Sequence, residues 1–257
     1  MDVSILIVNY KTRELLRQCL SSIFASGCSL EFEVIVLDND SRDGSVEMVR
    51  EEFPRVSLIE HGRNGGLSHG NNLAAAAARG KYLLFLNPDT VVRSGSLEKM
   101  AAYMQDHPEV GILGPKLVYP DGELQDSCRS FYSIRTIILR RTFFGKLFSD
   151  SRLLRLHLME DYKHDVPREV DWMLGACLMM PKSVWSAVGG WDEGYRLYFE
   201  DVDICRRAET DGYRVVYFPG ATVIHHHRRD SARGFSLKTV RHIVSAIRFF
   251  SKYGWKW

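Results

Sequence analysis

A few short stretches of this 257-residue chain carry side chains suited to chemistry. Asn87-Pro88-Asp89 sets a carboxylate directly behind the apolar run Leu83-Leu84-Phe85-Leu86. Proline lacks an N–H and fixes φ, so a strand must stop there and the chain must turn. Phe199-Glu200-Asp201-Val202-Asp203 gathers three carboxylates at the start of a helical pattern, and His225-His226-His227 ends the run Ala221-Thr222-Val223-Ile224. Carboxylates and imidazoles at strand ends are divalent-cation ligands. Two adjacent carboxyls raise one another's pKa. Each stretch also has a plainer reading: an ordinary Asn-Pro-Asp turn, an acidic helix cap, a solvated histidine run.

The elements that must position these groups follow from periodicity. Val3–Val8, Glu33–Leu37, Val56–Ile59 and Tyr82–Leu86 read as strands, and the first two intervening segments are helices with apolar residues on one face (Leu15, Leu16, Cys19, Leu20, Ile23 and Phe24; then Val46, Val49 and Phe53). A third helix is expected over Leu73–Arg79, with Gly80 as its stop. Strand, loop and helix alternate without a hairpin signal, which predicts an α/β fold with a mostly parallel, doubly wound sheet. Its carboxyl edge is where ligands bind. Two loops on that edge, Asp38-Asn39-Asp40-Ser41-Arg42-Asp43-Gly44 and Asn64-Gly65-Gly66 through Gly70-Asn71-Asn72, are rich in small polar residues. Neither G-x-x-x-x-G-K-[ST] nor G-x-G-x-x-G is present.

The second half changes character. Val118-Tyr119-Pro120-Asp121-Gly122-Glu123-Leu124 predicts a tight turn between short strands. Arg129 to Arg168 holds nine Lys/Arg against four Asp/Glu, interleaved with Ile137, Ile138, Leu139, Phe143, Phe144, Leu147 and Phe148. That is either a basic, apolar surface for a membrane face or a helix with one solvated side. Val215–Phe218 and Ala221–Ile224 read as strands framing Pro219-Gly220. Arg233 to Tyr253 predicts a terminal helix with Leu237, Val240, Ile243, Val244, Ile247 and Phe250 inward and Lys238, Arg241, Arg248 and Lys252 mostly outward.

Hydrophobic content of 45% and charged content of 26% are those of a soluble globular protein, and a net charge of +2 gives no electrostatic case for nucleic acid. Five cysteines without a C-x-x-C pair favour reduced thiols in the cytoplasm. Val3–Val8 is too short for a signal-peptide core, and no apolar run reaches the ~20 residues a bilayer span needs.

In their order along the chain, Ile7-Val8-Asn9-Tyr10, Leu37 to Ser45, Asn64-Gly65-Gly66 with Gly70-Asn71-Asn72, Asn87-Pro88-Asp89, Asp171-Trp172 to Gly175-Ala176, and Phe199 to Asp203 resemble the motifs of family 2 inverting glycosyltransferases of the GT-A fold, rhamnosyltransferase-like members in particular. The resemblance runs from Val3 to about Ser231. It implies a single domain over 1–232, with a nucleotide-binding half (1–115) and a smaller acceptor-side half (116–232), followed by a basic amphipathic helix (233–257).

By the same resemblance, Mg²⁺ or Mn²⁺ would be held by Asp89 and His225, with His227 as the alternative to His225; Asn87 stands where the family's D-x-D motif has its first acid. Val8, Asn9, Tyr10, Asp38, Asn64, Asn72, Asn87 and Asp89 would bind the nucleotide, Val8 and Tyr10 flanking a pyrimidine. Asp201 would be the catalytic base, Glu200 would orient donor or acceptor, and Asp203 would be structural. Gly175 and Ala176 would lie against the sugar, and Trp172 and Trp191 are either sugar platforms or core residues. The implied donor is a dTDP- or UDP-sugar, dTDP-L-rhamnose being the guess. The implied acceptor is a cell-surface glycan or polyprenyl-linked sugar, reached from the cytoplasmic face of an anionic membrane by a peripheral protein. A sugar-nucleotide nucleotidyltransferase and a non-catalytic nucleotide-sugar binding protein are the alternative readings.

Overall fold

The computed structural model describes residues 1–141, 151–226 and 237–255. Strands β1 (Val3–Asn9), β2 (Phe32–Asp38), β3 (Ser57–Glu60) and β4 (Tyr82–Leu86) alternate with helices α1 (Arg13–Ala25), α2 (Ser45–Glu52) and α3 (Leu67–Ala77). Every residue of β1 and β4 is buried, as unbroken apolar runs require of strands covered on both faces. The four strands pair in parallel in the order β3-β2-β1-β4. From β1 the chain winds outward to β3 and then returns across β1 to form β4. The carboxyl ends of β1 and β4 therefore flank a topological switch point.

Beyond β4 come β5 (Thr90–Val92), α4 (Ser96–Asp106), β6 (Val110–Val118), β7 (Cys128–Arg129), α5 (Ile134–Arg141), α6 (Arg152–Leu158), β8 (Arg168–Glu169), β9 (Trp172–Met173), β10 (Cys177–Pro181), α7 (Lys182–Ala187), α8 (Glu200–Thr210), β11 (Arg214–His225) and α9 (Leu237–Tyr253). The sheet continues from β4 as β10-β6-β11-β5, with β8 also on β11. β10 is antiparallel to both neighbours, β6 and β11 are parallel, and β5 and β8 are antiparallel to β11. The sheet is thus mostly but not wholly parallel. Alternate strand residues feed two apolar layers. Ile5 and Ile7 join Leu16, Met48 and Met100 on one face; Leu6 and Phe85 join Ala74, Val202 and Phe249 on the other.

Several expectations need correction. α3 begins at Leu67, so Ser68 through Asn72 of the polar loop are helical. Gly70 is there for contact: a Cβ on it would lie 2.8 and 2.9 Å from the two methyls of Val8. Gly80 does not stop α3, which ends at Ala77 with Ala78 already extended; a Cβ on Gly80 would sit 2.5 Å from the Ser4 nitrogen. β11 is one strand, with Pro219-Gly220 absorbed in a register shift between Phe218 and Thr222. The Tyr119–Gly122 turn forms, but a single bridge, Val118 to Leu124, closes it.

The terminal helix is the largest departure. Val240, Ile243, Val244 and Ile247, expected inward, are 41, 49, 60 and 50% exposed, whereas His242, Ser245, Ala246, Phe249 and Phe250 are buried. The helix has two apolar stripes on opposite sides, and periodicity alone does not say which one packs. Among the described residues no helix is long and apolar enough to cross a membrane. Phe143, Phe144, Leu147, Phe148 and His227 lie outside the described residues.

Gly70→Ala tests the α3 contact. The substitution raises helix propensity by ~1 kcal/mol but forces α3 away from β1. We expect a net loss of about 1–3 kcal/mol, the usual cost of overpacking, read as a lower urea midpoint at unchanged m. A rise in midpoint would show that α3 is not held at this distance.

Candidate functional site

One end of the site forms where β4 gives way to β5. Asn87 donates its N–H to the Ala176 carbonyl at 2.9 Å, and the Asp89 carbonyl accepts from His226 N–H at 2.8 Å. β11 runs antiparallel to β5 with His225 opposite Thr90. This register sets His225 Nε2 3.5 Å from Asp89 Oδ1. On the other side of the ring, Gln125 Oε1 lies 2.6 Å from His225 Nδ1. An amide oxygen only accepts, so this contact puts a proton on Nδ1 and leaves Nε2 facing Asp89. Gln125 was not foreseen. It lies 100 positions from His225, and nothing local in sequence marks it.

Among the described residues no group of three or more His, Cys, Asp or Glu is placed to hold a metal. Asp89 and His225 form a two-donor platform. An octahedral ion of the Mg²⁺ type, with ligands near 2.1 Å, holds neighbouring donors about 3 Å apart. The observed 3.5 Å is near the spacing such an ion would need between two of its donors. Asn87 is partly exposed beside this pair.

The other end is the first turn of α8. Asp201 Oδ2 accepts the Gly175 N–H at 3.1 Å and Oδ1 accepts the Val202 N–H at 2.9 Å. A Cβ on Gly175 would lie 3.3 Å from that of Asp201, so a larger residue would crowd the carboxylate. Gly175-Ala176 therefore joins the two ends: residue 175 binds Asp201 and residue 176 binds Asn87. Glu200 is buried, and its Oε2 has no hydrogen-bond partner among the described residues. Burial pushes both carboxyls up. Asp201's charge raises Glu200 further, while the Gly175 and Val202 N–H groups and the Arg129 guanidinium pull Asp201 back. Asp201 is thus the one that ionises first.

The approach to α8 is strained. Tyr198 and Phe199 have φ of +66° and +68°, a left-handed conformation that bulky residues adopt only when their surroundings impose it. Phe199 is buried, its ring centroid 5.0 Å from that of Tyr132, 5.2 Å from His242 and 5.5 Å from Phe249. Asp203, one turn into α8, is buried and bonded to Tyr195, Arg207, Lys252 and Tyr253, which agrees with a structural role.

The third region is the polar edge at β2 and β3, where a cavity of about 200 Å³ is lined by Asp38, Asp40, Ser41, Arg42, Glu60 and Gly62 among others. Of the expected nucleotide residues Asp38 alone lines it, and its carboxylate already accepts from Asn9 Nδ2 at 2.7 Å and Ser41 Oγ at 2.6 Å. Asn9 is fully buried and bonded to Asp38, Ser41 and Thr12. Val8 is buried under Gly70, so of the two residues expected to flank a base only Tyr10, 44% exposed, presents a surface. Asn64 is exposed and caps its own turn, accepting from Gly66 N–H. The reading of Asn72 is corrected: its amide is spent on Trp191 and Glu193, in three bonds of 2.8 to 2.9 Å. Trp172 and Trp191 are both 3% exposed and belong to the core. Trp172 donates to Ser130 O, and Trp191 stands edge-on to Phe85. Neither offers a face to a sugar. Asn39, also unforeseen, ties the two polar loops by bonds to Gly65 and Gly66.

The Glu200 environment has a stability consequence. Its raised pKa means that the folded state holds this proton more tightly than the unfolded chain does. Stability therefore falls as pH rises from the unfolded value, about 4.3, through the raised folded value. Gln imitates the protonated acid and removes that loss. Glu200→Gln should unfold like wild type near pH 4 and be the more stable protein near pH 9, by thermal melts; a gain equal at both pH values would contradict the assignment.

Residues 4–162 match the model of glycosyl transferase family 2. The chain is 28% identical over 229 residues to the N-acetylglucosaminyl-diphospho-decaprenol L-rhamnosyltransferase of Mycobacterium tuberculosis, covering 85% of this chain and 74% of that protein. It is 26% identical over 263 residues to rhamnosyltransferase WbbL of Escherichia coli K12, covering 97% and 93%. Among solved structures it resembles GalNAc-T7 with UDP, GalNAc and Mn²⁺ (TM-score 0.69, 15% identity) and the mannosyltransferase PcManGT of Pyrobaculum calidifontis with GDP-Man and Mn²⁺ (TM-score 0.65, 19% identity). Each match covers 98% of this chain but only 48% and 63% of those longer chains, and at such identities the likeness is one of fold. With its mostly parallel sheet shared with these GT-A enzymes and the family match running over more than half its length, the chain belongs to glycosyl transferase family 2, as a glycosyltransferase of rhamnosyltransferase-like sequence.

Proposed function

We propose that this enzyme is an inverting transferase that moves a hexose from a nucleoside-diphosphate sugar to a glycan or polyprenyl-linked acceptor by direct displacement. What supports the reading is the pair of backbone hydrogen bonds, Asn87 N–H to the Ala176 carbonyl and Gly175 N–H to Asp201, which tie the segment carrying Asp89 to the one carrying Asp201. Asp201 would accept the acceptor hydroxyl's proton as that oxygen attacks the anomeric carbon. The N–H groups of Gly175 and Val202 keep the Asp201 carboxylate aimed and the more acidic of the buried pair. Glu200, protonated beside it, would donate to a sugar oxygen through the carboxyl edge that has no partner among the described residues.

Asp89 and His225 would hold Mg²⁺ or Mn²⁺, which supplies charge compensation for the departing diphosphate. Gln125 would keep the His225 ring in its ligating tautomer. The base and ribose would occupy the cleft at Asp38–Arg42, and the exposed ring of Tyr10 would flank the base. We assign L-rhamnose as the sugar on the names of the two rhamnosyltransferase relatives, and a lipid-diphosphate sugar as the acceptor on the name of the mycobacterial one; the dTDP or UDP carrier rests on the sequence resemblance. Such an acceptor would bring the enzyme to the membrane surface as a peripheral protein.

Asp201→Asn should cut kcat by about 10²–10⁴-fold, the worth of general-base catalysis, and leave donor affinity by calorimetry within a factor of about two of wild type. Transfer at the wild-type rate would refute the base. Because the base must be ionised, wild-type kcat/KM should fall on the acid side with an apparent pKa above the ordinary carboxylate range; an acid limb at the usual Asp value would show that burial does not act on it. Gln125→Ala should weaken Mn²⁺ binding in the presence of nucleoside diphosphate by about 10–100-fold, read from the free-Mn²⁺ EPR signal. An unchanged affinity would remove Gln125 from the cation site.

A further inference from the structure

We infer that the outward side of α9 is an interfacial membrane-binding surface that takes an anionic lipid bilayer. This deepens the peripheral-membrane reading above and rests on it. Val240, Ile243, Val244 and Ile247 recur at i, i+3, i+4 and i+7 and are 41 to 60% exposed. They form one stripe along the helix, opposite the side that carries His242, Ser245, Ala246, Phe249 and Phe250 into the core. Just past the helix, Trp255 is 55% exposed and stacks on Phe250 at 5.4 Å. Tryptophan at the end of an apolar stripe suits the headgroup boundary, where one part of the ring is dry and one wet. At 100° per residue, Arg241, Arg248 and Lys252 fall on a single flank of the helix, between its two apolar sides, where Arg248 and Lys252 pair with Asp192 and Arg241 is exposed.

Charge identifies the occupant. Tyr132 links α6 to this region: its ring lies 4.7 Å from His157 on α6 and 5.0 Å from Phe199, which in turn packs on Phe249 of α9, and α5 contacts α6. Leu153 and Leu156 of α6 are exposed too. Across α5, α6 and α9 the sequence has nine Lys or Arg and no Asp or Glu, and two of the nine, Arg248 and Lys252, are already paired with Asp192 and Asp203. A second copy docking on this side would bring like charges together, whereas anionic headgroups complement them. The stripe is too short and too charged to span; lying in the plane of the interface is the arrangement such a helix allows. The contact also reaches the site, because Phe249 and His242 pack on Phe199 and Lys252 and Tyr253 bond Asp203 of α8. A bilayer that holds α9 thereby fixes the height of Asp201 above it.

The test is sedimentation of the full chain with vesicles of phosphatidylcholine alone or mixed with phosphatidylglycerol. Ile243→Ser, Val244→Ser and Ile247→Ser combined alter only exposed side chains. Wild type should bind the mixed vesicles, and the triple variant should bind them at least about tenfold more weakly; Arg241→Glu should weaken binding mainly at low salt. Both variants should transfer sugar to a short-chain, water-soluble lipid-diphosphate sugar at the wild-type rate. Wild-type binding by the triple variant, or no wild-type binding at all, overturns the inference. So does a wild-type dimer in lipid-free light scattering that the triple variant abolishes. Absence of wild-type transfer to any lipid-diphosphate acceptor, with stripe-dependent vesicle binding intact, would instead sink the acceptor assignment and leave the surface standing.

Discussion

The geometry of this enzyme depends on one buried carboxylate. Asp203 is 0% exposed, and an uncompensated charge there would be too costly to bury. It is compensated from three directions: Arg207 on its own helix, Tyr195 from the loop before α8, and Lys252 and Tyr253 from α9. Lys252 also reaches Asp192, which Arg248 binds as well. The loop before α8 and the distant α9 are thus pinned to the first turns of α8, where Glu200 and Asp201 stand. The carboxylate proposed as the base is held in position because another, two residues on, is anchored by four partners.

That anchoring also explains how strained backbone survives beside the site. Two consecutive aromatic residues with positive φ, Tyr198 and Phe199, turn the chain into α8. Alone, such a turn would relax. Here the Phe199 ring is enclosed by Tyr132, His242 and Phe249, and relaxing the backbone would empty an aromatic cluster in the core. Packing energy and local strain are traded directly, and the product is a helix that begins abruptly at the edge of the cleft.

The parallel half of the fold was legible in the sequence because its strands are buried on both faces and read as unbroken apolar runs between amphipathic helices. Asp89, Asp201 and His225 were legible as strand-end and helix-start residues, and the structure brings Asp89 and His225 to 3.5 Å. What could not be read were groups defined by contacts across the chain. Gln125 has no local signature. Asn72 looks like a loop ligand, yet it is a helical residue holding Trp191 and Glu193. Trp172 and Trp191 have compositions compatible with sugar platforms, and only packing reveals both as core. The last helix failed for a different reason. It carries two apolar stripes, and a period of 3.6 identifies stripes, not the partner each one meets.

β10 has a consequence of its own. It lies antiparallel between β4 and β6, with Cys177 opposite Leu86 and Met179 opposite both Leu84 and Leu113. Side chains alternate along a strand, so sliding β10 by one residue would turn its whole buried set inside out, and the next permitted position lies two residues, roughly 7 Å, away. The spacing between the carboxylate held by Gly175 and the donors beyond Asn87 is therefore counted in whole strand steps and admits no fine adjustment. A lineage built on this sheet can change what it accepts by reshaping loops and helices around the gap, but the gap itself is inherited as an integer.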